Sequence, residues 1–362
     1  IITAGWLICT KMLFRYCCAI RWNTKQGGRF AAREEGVCMA FQKELDAALL
    51  AVRTAAQLCK DTQFSLVTTD TLEKKDRSPV TIADFGSQAI VSSILFKHLP
   101  DDLLVGEEDV NELKQNSDML EKVHHLVSKH LPDISIEDLL ASISRGTAEP
   151  DYGGRYWTVD PIDGTKGFLR KEQYAVALAL VENGEVKLGV LGCPNLPLDL
   201  SAPEKGAGCI VYAVRGAGAF MCDLQGTNVV PIHVDGFVDA KLARFVESVE
   251  SAHSAHSVHE KISSAMGITE KPLRIDSQCK YAAVARGDVS IYLRFPKDEI
   301  YREKIWDHAA GVIVVEEAGG VVTDVFGVPL DFTRGRTLAV NRGVVATSGA
   351  FHNQIINVIS EL

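Results

Sequence analysis

The sequence predicts a mixed fold, α+β passing into α/β, in two subdomains. Three observations carry that expectation: a helical start, a run of hairpin signals, and a final region in which short strands alternate with helical segments. In residues 41–60, Phe41, Leu45, Leu49, Val52, Ala56 and Cys59 recur every three to four positions, as one apolar face of a helix does. A second helix is expected to start near Asp84 and run through Ala89, Ile90, Ile94 and Leu95 to His98. Asp84 then stands at its N-terminus, where an N-cap is its plainest role. Residues 103–106 read as a short buried strand that delivers Glu107, Glu108 and Asp109 at its C-terminal end. Residues 111–145 are polar and helical in pattern, and read as an insert over a site.

Residues 174–181 and 186–191 flank Asn183-Gly184 and form one expected hairpin; residues 209–214 and 218–221 form another. A change of composition over 231–239 places a boundary near Asp235, so the chain divides into an extension (1–38), a first subdomain (39–235) and a second (236–362). Strands are expected within the second at 243–249, 289–294, 321–323 and 344–346. Residues 304–320 read as a helix with Asp307 in its first turn, where it too could be only a cap, and Gly319-Gly320 as its stop.

With 46% hydrophobic and 23% charged residues, the 362-residue chain has the composition of a soluble globular protein. Its net charge of −9 argues against a nucleic-acid polymer or an anionic membrane as the main partner and leaves a small anionic ligand, escorted by cations. Nine cysteines lack any C-x-x-C pair, and Cys193, Cys209, Cys222 and Cys279 read as reduced core residues. The first 33 residues hold six basic residues and no acid, with apolar runs too short to span a bilayer. That composition suits an organellar transit peptide or a translated extension upstream of Met39, and leaves the location as cytoplasmic or organellar.

The chemistry is concentrated in Trp157-Thr-Val-Asp160-Pro-Ile-Asp163-Gly-Thr165-Lys-Gly-Phe168, which reads as a strand running out into a turn. Two carboxylates about 4 Å apart repel by roughly 4 kcal/mol at an effective dielectric near 20, so a close pair needs a cation, a shared proton or separation by the turn. A phosphoaspartyl nucleophile would place one residue between the acids; here two intervene, which on a regular strand turns the second carboxylate to the other face. An EF-hand count from Asp160 meets Thr165 and Lys171 where Gly and Glu are required. An Asx-type turn, in which both acids bond nearby backbone, is the alternative to a metal site. Asp84, Glu107, Asp160, Asp163 and Asp307 brought together would make a cluster that no core tolerates without metals.

Taken in order, Asp84 in Pro-Val-Thr-Ile-Ala-Asp, Gly106-Glu107-Glu108, Asp160-Pro-Ile-Asp163-Gly-Thr165 and Trp306-Asp307 resemble the lithium-sensitive, magnesium-dependent phosphomonoesterases of the inositol monophosphatase and fructose bisphosphatase superfamily. Within it, the string from Asp160 to Arg170, the 53 positions separating Glu107 from Asp160, and the segments around His253 and 276–281 are similar to the plant and fungal 3′(2′),5′-bisphosphate nucleotidases. The resemblance covers residues 41–362. It implies a layered α-β-α-β-α sandwich, two or three Mg²⁺ ions per site and, as partner, a small nucleotide bisphosphate bound by a monomer.

The resemblance further implies that Glu107, Asp160 and the Ile162 carbonyl hold one Mg²⁺, and Asp160, Asp163 and Asp307 a second. Thr165, oriented by Asp84, would position and deprotonate water, with Glu107 beside it. Gly164, Thr165, His253, Ser277, Lys280 and Arg294 would bind substrate, the last four at its 5′-phosphate end. Ala252 stands where the family usually has Gly, and Cys279 where it often has a smaller residue. The read-alone alternative for His253, His256 and His259 is a polar helix face. The implied reaction removes the 3′-phosphate of adenosine 3′,5′-bisphosphate, and the resemblance extends the same chemistry to its sulfated precursor. An inositol polyphosphate 1-phosphatase is the alternative enzyme, and an inactive nucleotide sensor the non-enzyme alternative.

Overall fold

A computed structural model describes residues 41–67, 78–249, 256–296 and 298–362; the basic segment 1–38 lies outside them. Helix α1 (Gln42–Leu66) begins where the periodicity places it and runs further. Helix α2 spans Ser78–His98, so Asp84 stands well inside the helix and cannot be its N-cap. Pro79 permits the earlier start, because a proline in the first turn lacks only a donor that has no partner there.

Strand β1 (Leu104–Gly106) follows, and then α3 (Val110–Lys114), α4 (Ser117–Ser128) and α5 (Ile136–Arg145), whose N-caps Asp109, Asn116 and Ser135 each accept a backbone N–H. Val123, Val127, Leu139 and Ile143 of this segment join the apolar cluster of α1 and α2. The 111–145 segment is therefore built into the outer helical layer by its own buried stripe.

Strands β2 (Arg155–Asp163), β3 (Ala175–Glu182), β4 (Glu185–Pro197), β5 (Ala207–Val214), β6 (Gly218–Asp223) and β7 (Val230–Ile232) complete a seven-stranded sheet in sequential order, with the short helix α6 (Thr165–Leu169) after β2. All neighbours are antiparallel except β1 and β2. The expected hairpins are β3–β4 and β5–β6. Asn183 and Gly184 join the first pair with φ of 55° and 75°, the two left-handed positions that a two-residue hairpin turn needs.

The second sheet has the order β11-β12-β10-β8-β9. Its strands are β8 (Phe245–Glu247), β9 (Leu273–Arg274), β10 (Ile291–Arg294), β11 (Val321–Thr323) and β12 (Val344–Thr347). Helix α7 (His256–Met266) lies between β8 and β9, α8 (Cys279–Ala285) between β9 and β10, α9 (Ala309–Glu317) before β11, and α10 (His352–Ser360) after β12.

Alternation along the strands sorts the core into three clusters. Val176, Leu178 and Leu180 of β3 face α1 and α2, while Ala175, Ala177 and Ala179 face α8 and α9. On the second sheet, Tyr292, Val344 and Ala346 face the same two helices, and Ile291, Leu293 and Val345 face α7 and α10. The layers are thus helix, sheet, helix, sheet, helix, the sandwich the motifs implied. Helix α9, buried from Ala309 to Val315 in the middle layer, has no use for a polar face. Gly189 lets it sit tight on the first sheet, since a Cβ there would come within 2.5 Å of Ile313. Cys59, Cys193, Cys209, Cys222 and Cys279 are free and buried, as core residues should be. No helix of the described residues is long and apolar enough to cross a membrane.

Candidate active site

The carboxylates converge where β1 and β2 end. Gly106 pairs with Val159 in parallel register, so Glu107, just past the end of β1, comes beside Asp160, which is still within β2. Two ladder positions later the regular count fails: Asp160 opposes Ala177 and Asp163 opposes Ala175, three steps on β2 against two on β3. This is a β-bulge at Pro161-Ile162, where a proline is tolerated because the ladder is broken. Opposed residues share a face, and both alanines face the middle layer, so the bulge returns Asp163 to the face of Asp160. The expectation that two intervening residues send the acids to opposite faces is corrected here. The Ser87 hydroxyl, from α2, holds the Pro161 carbonyl at 2.9 Å.

Asp160 is 2% exposed and its Oδ1 is buried without a hydrogen-bond partner. Burial first, and then Glu107, Asp163, Asp307 and Asp84, push its carboxyl well above the usual range. Asp84 is pushed well up by burial and then by Glu108 and Glu107. Glu107 opens to solvent on one side, yet desolvation on its inner side and the Asp307, Glu108 and Asp163 carboxylates push it up to about 8. Burial and Glu112 push Glu108 up to about 7. Burial and Asp307 raise Asp163 to about 6, against the pull of Lys280, Arg294 and the Gln278 N–H. Asp84 and Asp160 are buried with no cationic side chain paired to them among the described residues, and with the orphaned oxygen of Asp160 they make a donor set short of a cation, one whose hard carboxylate oxygens, with the carbonyl beside them, fit Mg²⁺.

A second tier of residues comes from the other sheet. The Gln278 backbone N–H donates to Asp163 Oδ2 at 2.5 Å, and its side chain donates to the Trp306 carbonyl at 2.9 Å. Gln278 thereby ties Asp163 to the turn that carries Asp307. Gly164 (φ +93°) and Ser277 (φ +67°) meet there, and a Cβ on Gly164 would lie 2.8 Å from that of Ser277. Only glycine fits that approach. Arg170 adds an ion pair to Asp276. Asp307 lies in the turn before α9 and not in its first turn, and pairs with Arg294 at 3.3 Å. The same guanidinium pairs with Glu303 at 2.6 Å, and Glu303 lies 3.4 Å from His308, which the Tyr281 hydroxyl meets at 2.7 Å. Glu303, Asp307 and His308 bring ligand atoms within 4.8 Å of one another. The set of Glu107, Asp160, Asp163 and Asp307 is coupled by charge but, among the described residues, is not drawn together as tightly.

Among the predicted substrate residues, Lys280 is buried, with its ammonium 5.2 Å from the centre of the Tyr292 ring. Ser277 is buried in the turn beside Gly164, and Thr165 is exposed at the start of α6. No hydrogen bond joins Asp84 to Thr165 among the described residues. His253 lies outside the described residues. His259 is not on a polar helix face: it is 2% exposed, bonded to Glu247 at 2.8 Å and stacked on Phe245. Gln278 and Glu303 were not foreseen, since a glutamine and a partnered glutamate give no spacing signal.

A fold and site of this kind define a phosphomonoesterase class, and the sequence agrees: the pattern of the inositol monophosphatase family matches residues 40–362. The chain belongs to that family. It is 44% identical to a 3′(2′),5′-bisphosphate nucleotidase of Schizosaccharomyces pombe over 335 residues, covering 88% of this chain and 95% of the relative. It is also 47% identical to 3′(2′),5′-bisphosphate nucleotidase 1 of Arabidopsis thaliana over 301 residues, covering 78% and 85%. An inositol monophosphatase from Zymomonas mobilis superposes with a TM-score of 0.60 at 21% identity, covering 89% of this chain and 99% of that one. That likeness bears on the fold alone.

Proposed function

We propose that the chain is a Mg²⁺-dependent phosphomonoesterase that removes the 3′-phosphate of adenosine 3′,5′-bisphosphate. The observation that carries the reading is the bulge that returns Asp163 to the face of Asp160, beside Glu107. Nucleotide choice is supported by the names of the relatives and by the turn that carries Ser277 and Lys280.

Glu107, Asp160 and the Ile162 carbonyl would hold one cation, and Asp160, Asp163 and Asp307 would hold a second. Gln278 and Arg294 each engage one oxygen of Asp163 and Asp307, and the other oxygen of each remains for a cation. Bound Mg²⁺ lowers the pKa of water and offsets the charge of the transferring phosphoryl group. Thr165, exposed at the start of α6, would orient the attacking water, and Asp84 would be the group that receives its proton. Lys280 is the main partner of the 5′-phosphate, because Arg294 already serves two carboxylates. We further assign residues 39–235 and 236–362 as two subdomains that share this site in a monomer.

Phosphate release from adenosine 3′,5′-bisphosphate, its sulfated precursor, inositol 1,4-bisphosphate and fructose 1,6-bisphosphate tests the reading. Preference for the first two is expected. Faster turnover of the inositol substrate would replace it with a polyphosphate 1-phosphatase, and no turnover of any would leave a nucleotide sensor.

A further inference from the structure

The backbone on either side of Glu107 is gripped from two directions. On one side stands Gln88, one helical turn after Asp84 and fully buried. Its Nε2 donates to the Glu108 carbonyl at 2.8 Å while its Oε1 accepts the Glu108 N–H at 2.9 Å, so one carboxamide holds both backbone groups of that residue. The same Nε2 reaches the Ile143 carbonyl at 3.3 Å. The fit requires glycine twice: a Cβ on Gly106 or on Gly146 would lie 2.4 Å from the Gln88 carboxamide.

On the other side stands Arg336. Its Nη2 donates to the Gly106 carbonyl, the group that opens the peptide to Glu107, and its Nη1 lies 3.4 Å from the Gly146 carbonyl. Its guanidinium carbon sits 4.9 Å from the centre of the Trp306 ring, next to Asp307. The backbone around Arg336 is laced to the same turn, with Ile305 N–H on the Arg336 carbonyl at 3.2 Å and Leu338 N–H on the Glu303 carbonyl at 2.8 Å. Arg336 therefore bridges the strand exit that carries Glu107 and the turn that carries Asp307.

We propose that Gln88 and Arg336 form a two-sided clamp that positions Glu107 relative to Asp307 and so sets the metal affinity of the site. The proposal rests on Glu107 being a metal ligand. Neither side chain touches a reacting atom, so both are positioning residues. Groups that orient metal ligands typically change affinity by about 10–100-fold when lost.

The test follows Mn²⁺ binding to the full chain without substrate, by electron paramagnetic resonance, alongside the Mg²⁺ dependence of turnover. Gln88→Met and Arg336→Met are each expected to weaken Mn²⁺ binding about tenfold or more, with kcat restored to within about threefold by saturating Mg²⁺. Arg336→Lys, which keeps a donor for Gly106 but not the flat contact with Trp306, should fall between. Should Gln88→Met fail to fold, the half-buried Arg336 variants carry the test alone. Glu107→Gln is the reference. If it loses Mn²⁺ while the clamp variants bind as wild type, even with lowered thermal stability, the clamp is wrong and the ligand reading stands. If Glu107→Gln itself binds as wild type, both fall.

Discussion

Glu107 and Glu303 are the same residue type in two halves of one site, and their environments drive them apart. Glu107 faces Asp307, Glu108 and Asp163, and desolvation and their repulsion push it up to about 8 against the pull of a hydrogen bond with Asp160. Burial alone would raise Glu303 as well, but His308 and Arg294 hold it down at about 2. The first half leaves its charges uncompensated, which costs stability and creates a demand for cations. The second half satisfies its charges internally and serves as a scaffold that presents Asp307. Acid content alone does not make a metal site; what matters is which acids the protein declines to pair.

The sharpest test of that contrast is Asp160→Asn. Activity should fall at least about a thousandfold, roughly 4 kcal/mol of transition-state stabilisation. The metal-free protein should become more stable near neutral pH, since asparagine is neutral there without having to take up a proton. Retention of more than about a tenth of wild-type kcat would break the ligand assignment.

Glu303→Gln probes the paired half and should act in the opposite sense. Breaking a buried ion pair costs about 3–5 kcal/mol, with the low end expected because Arg294 keeps Asp307. Denaturant unfolding of the metal-free chain measures it. A variant as stable as wild type would show that the pairing is not what holds this half together.

Between the halves lies Lys280. A charge-assisted contact is worth about 1.5–3 kcal/mol, so Lys280→Ala should raise KM for adenosine 3′,5′-bisphosphate about tenfold to a hundredfold. Adenosine 3′-monophosphate, with no 5′-phosphate, should be a poor substrate little affected by the change. Equal losses for both substrates would make Lys280 a structural support.

The smallest expected effect is on pH dependence, where the halves differ in sign. Glu107, Glu108 and Asp163, at about 8, 7 and 6, keep protons in the folded metal-free chain that the unfolded chain releases near pH 4. The unfolded state then binds fewer protons, so stability falls as pH rises from about 4 to about 8. Glu303, depressed to about 2, contributes stability that is fully present above about pH 4 and is lost as pH falls from there through about 2. Because Mg²⁺ takes the place of protons, the rise in unfolding temperature on adding it should be larger at pH 8 than at pH 6. Calorimetry at both values, with and without Mg²⁺, checks this; an equal rise would mean that those acids are already ionised without metal.

Much of the fold was legible because its signals are local. The Phe41-to-Cys59 stripe marks α1, Asn183-Gly184 marks a hairpin turn, and every strand expected in the second region is present within a residue or two. The short edge strands β7 and β9 carry too few residues to show a period. Asp84 was misplaced relative to its helix because Ser78-Pro79 resembles a break as readily as a first turn. His259 passed for a surface residue because its partner Glu247 lies twelve positions away on another element.

The sequence by itself determined which acids exist, their order, and the strands and helices that carry them, since propensity and periodicity act over a few residues. Only the tertiary structure decided how those acids meet. Parallel pairing of β1 with β2 sets Glu107 beside Asp160, and a one-residue bulge turns Asp163 back to their face. Gln88 and Arg336 grip the strand exit from elements about 20 and 230 positions away. Such contacts depend on register and on backbone approaches that require glycine at 106, 146 and 164, and a one-dimensional pattern encodes neither.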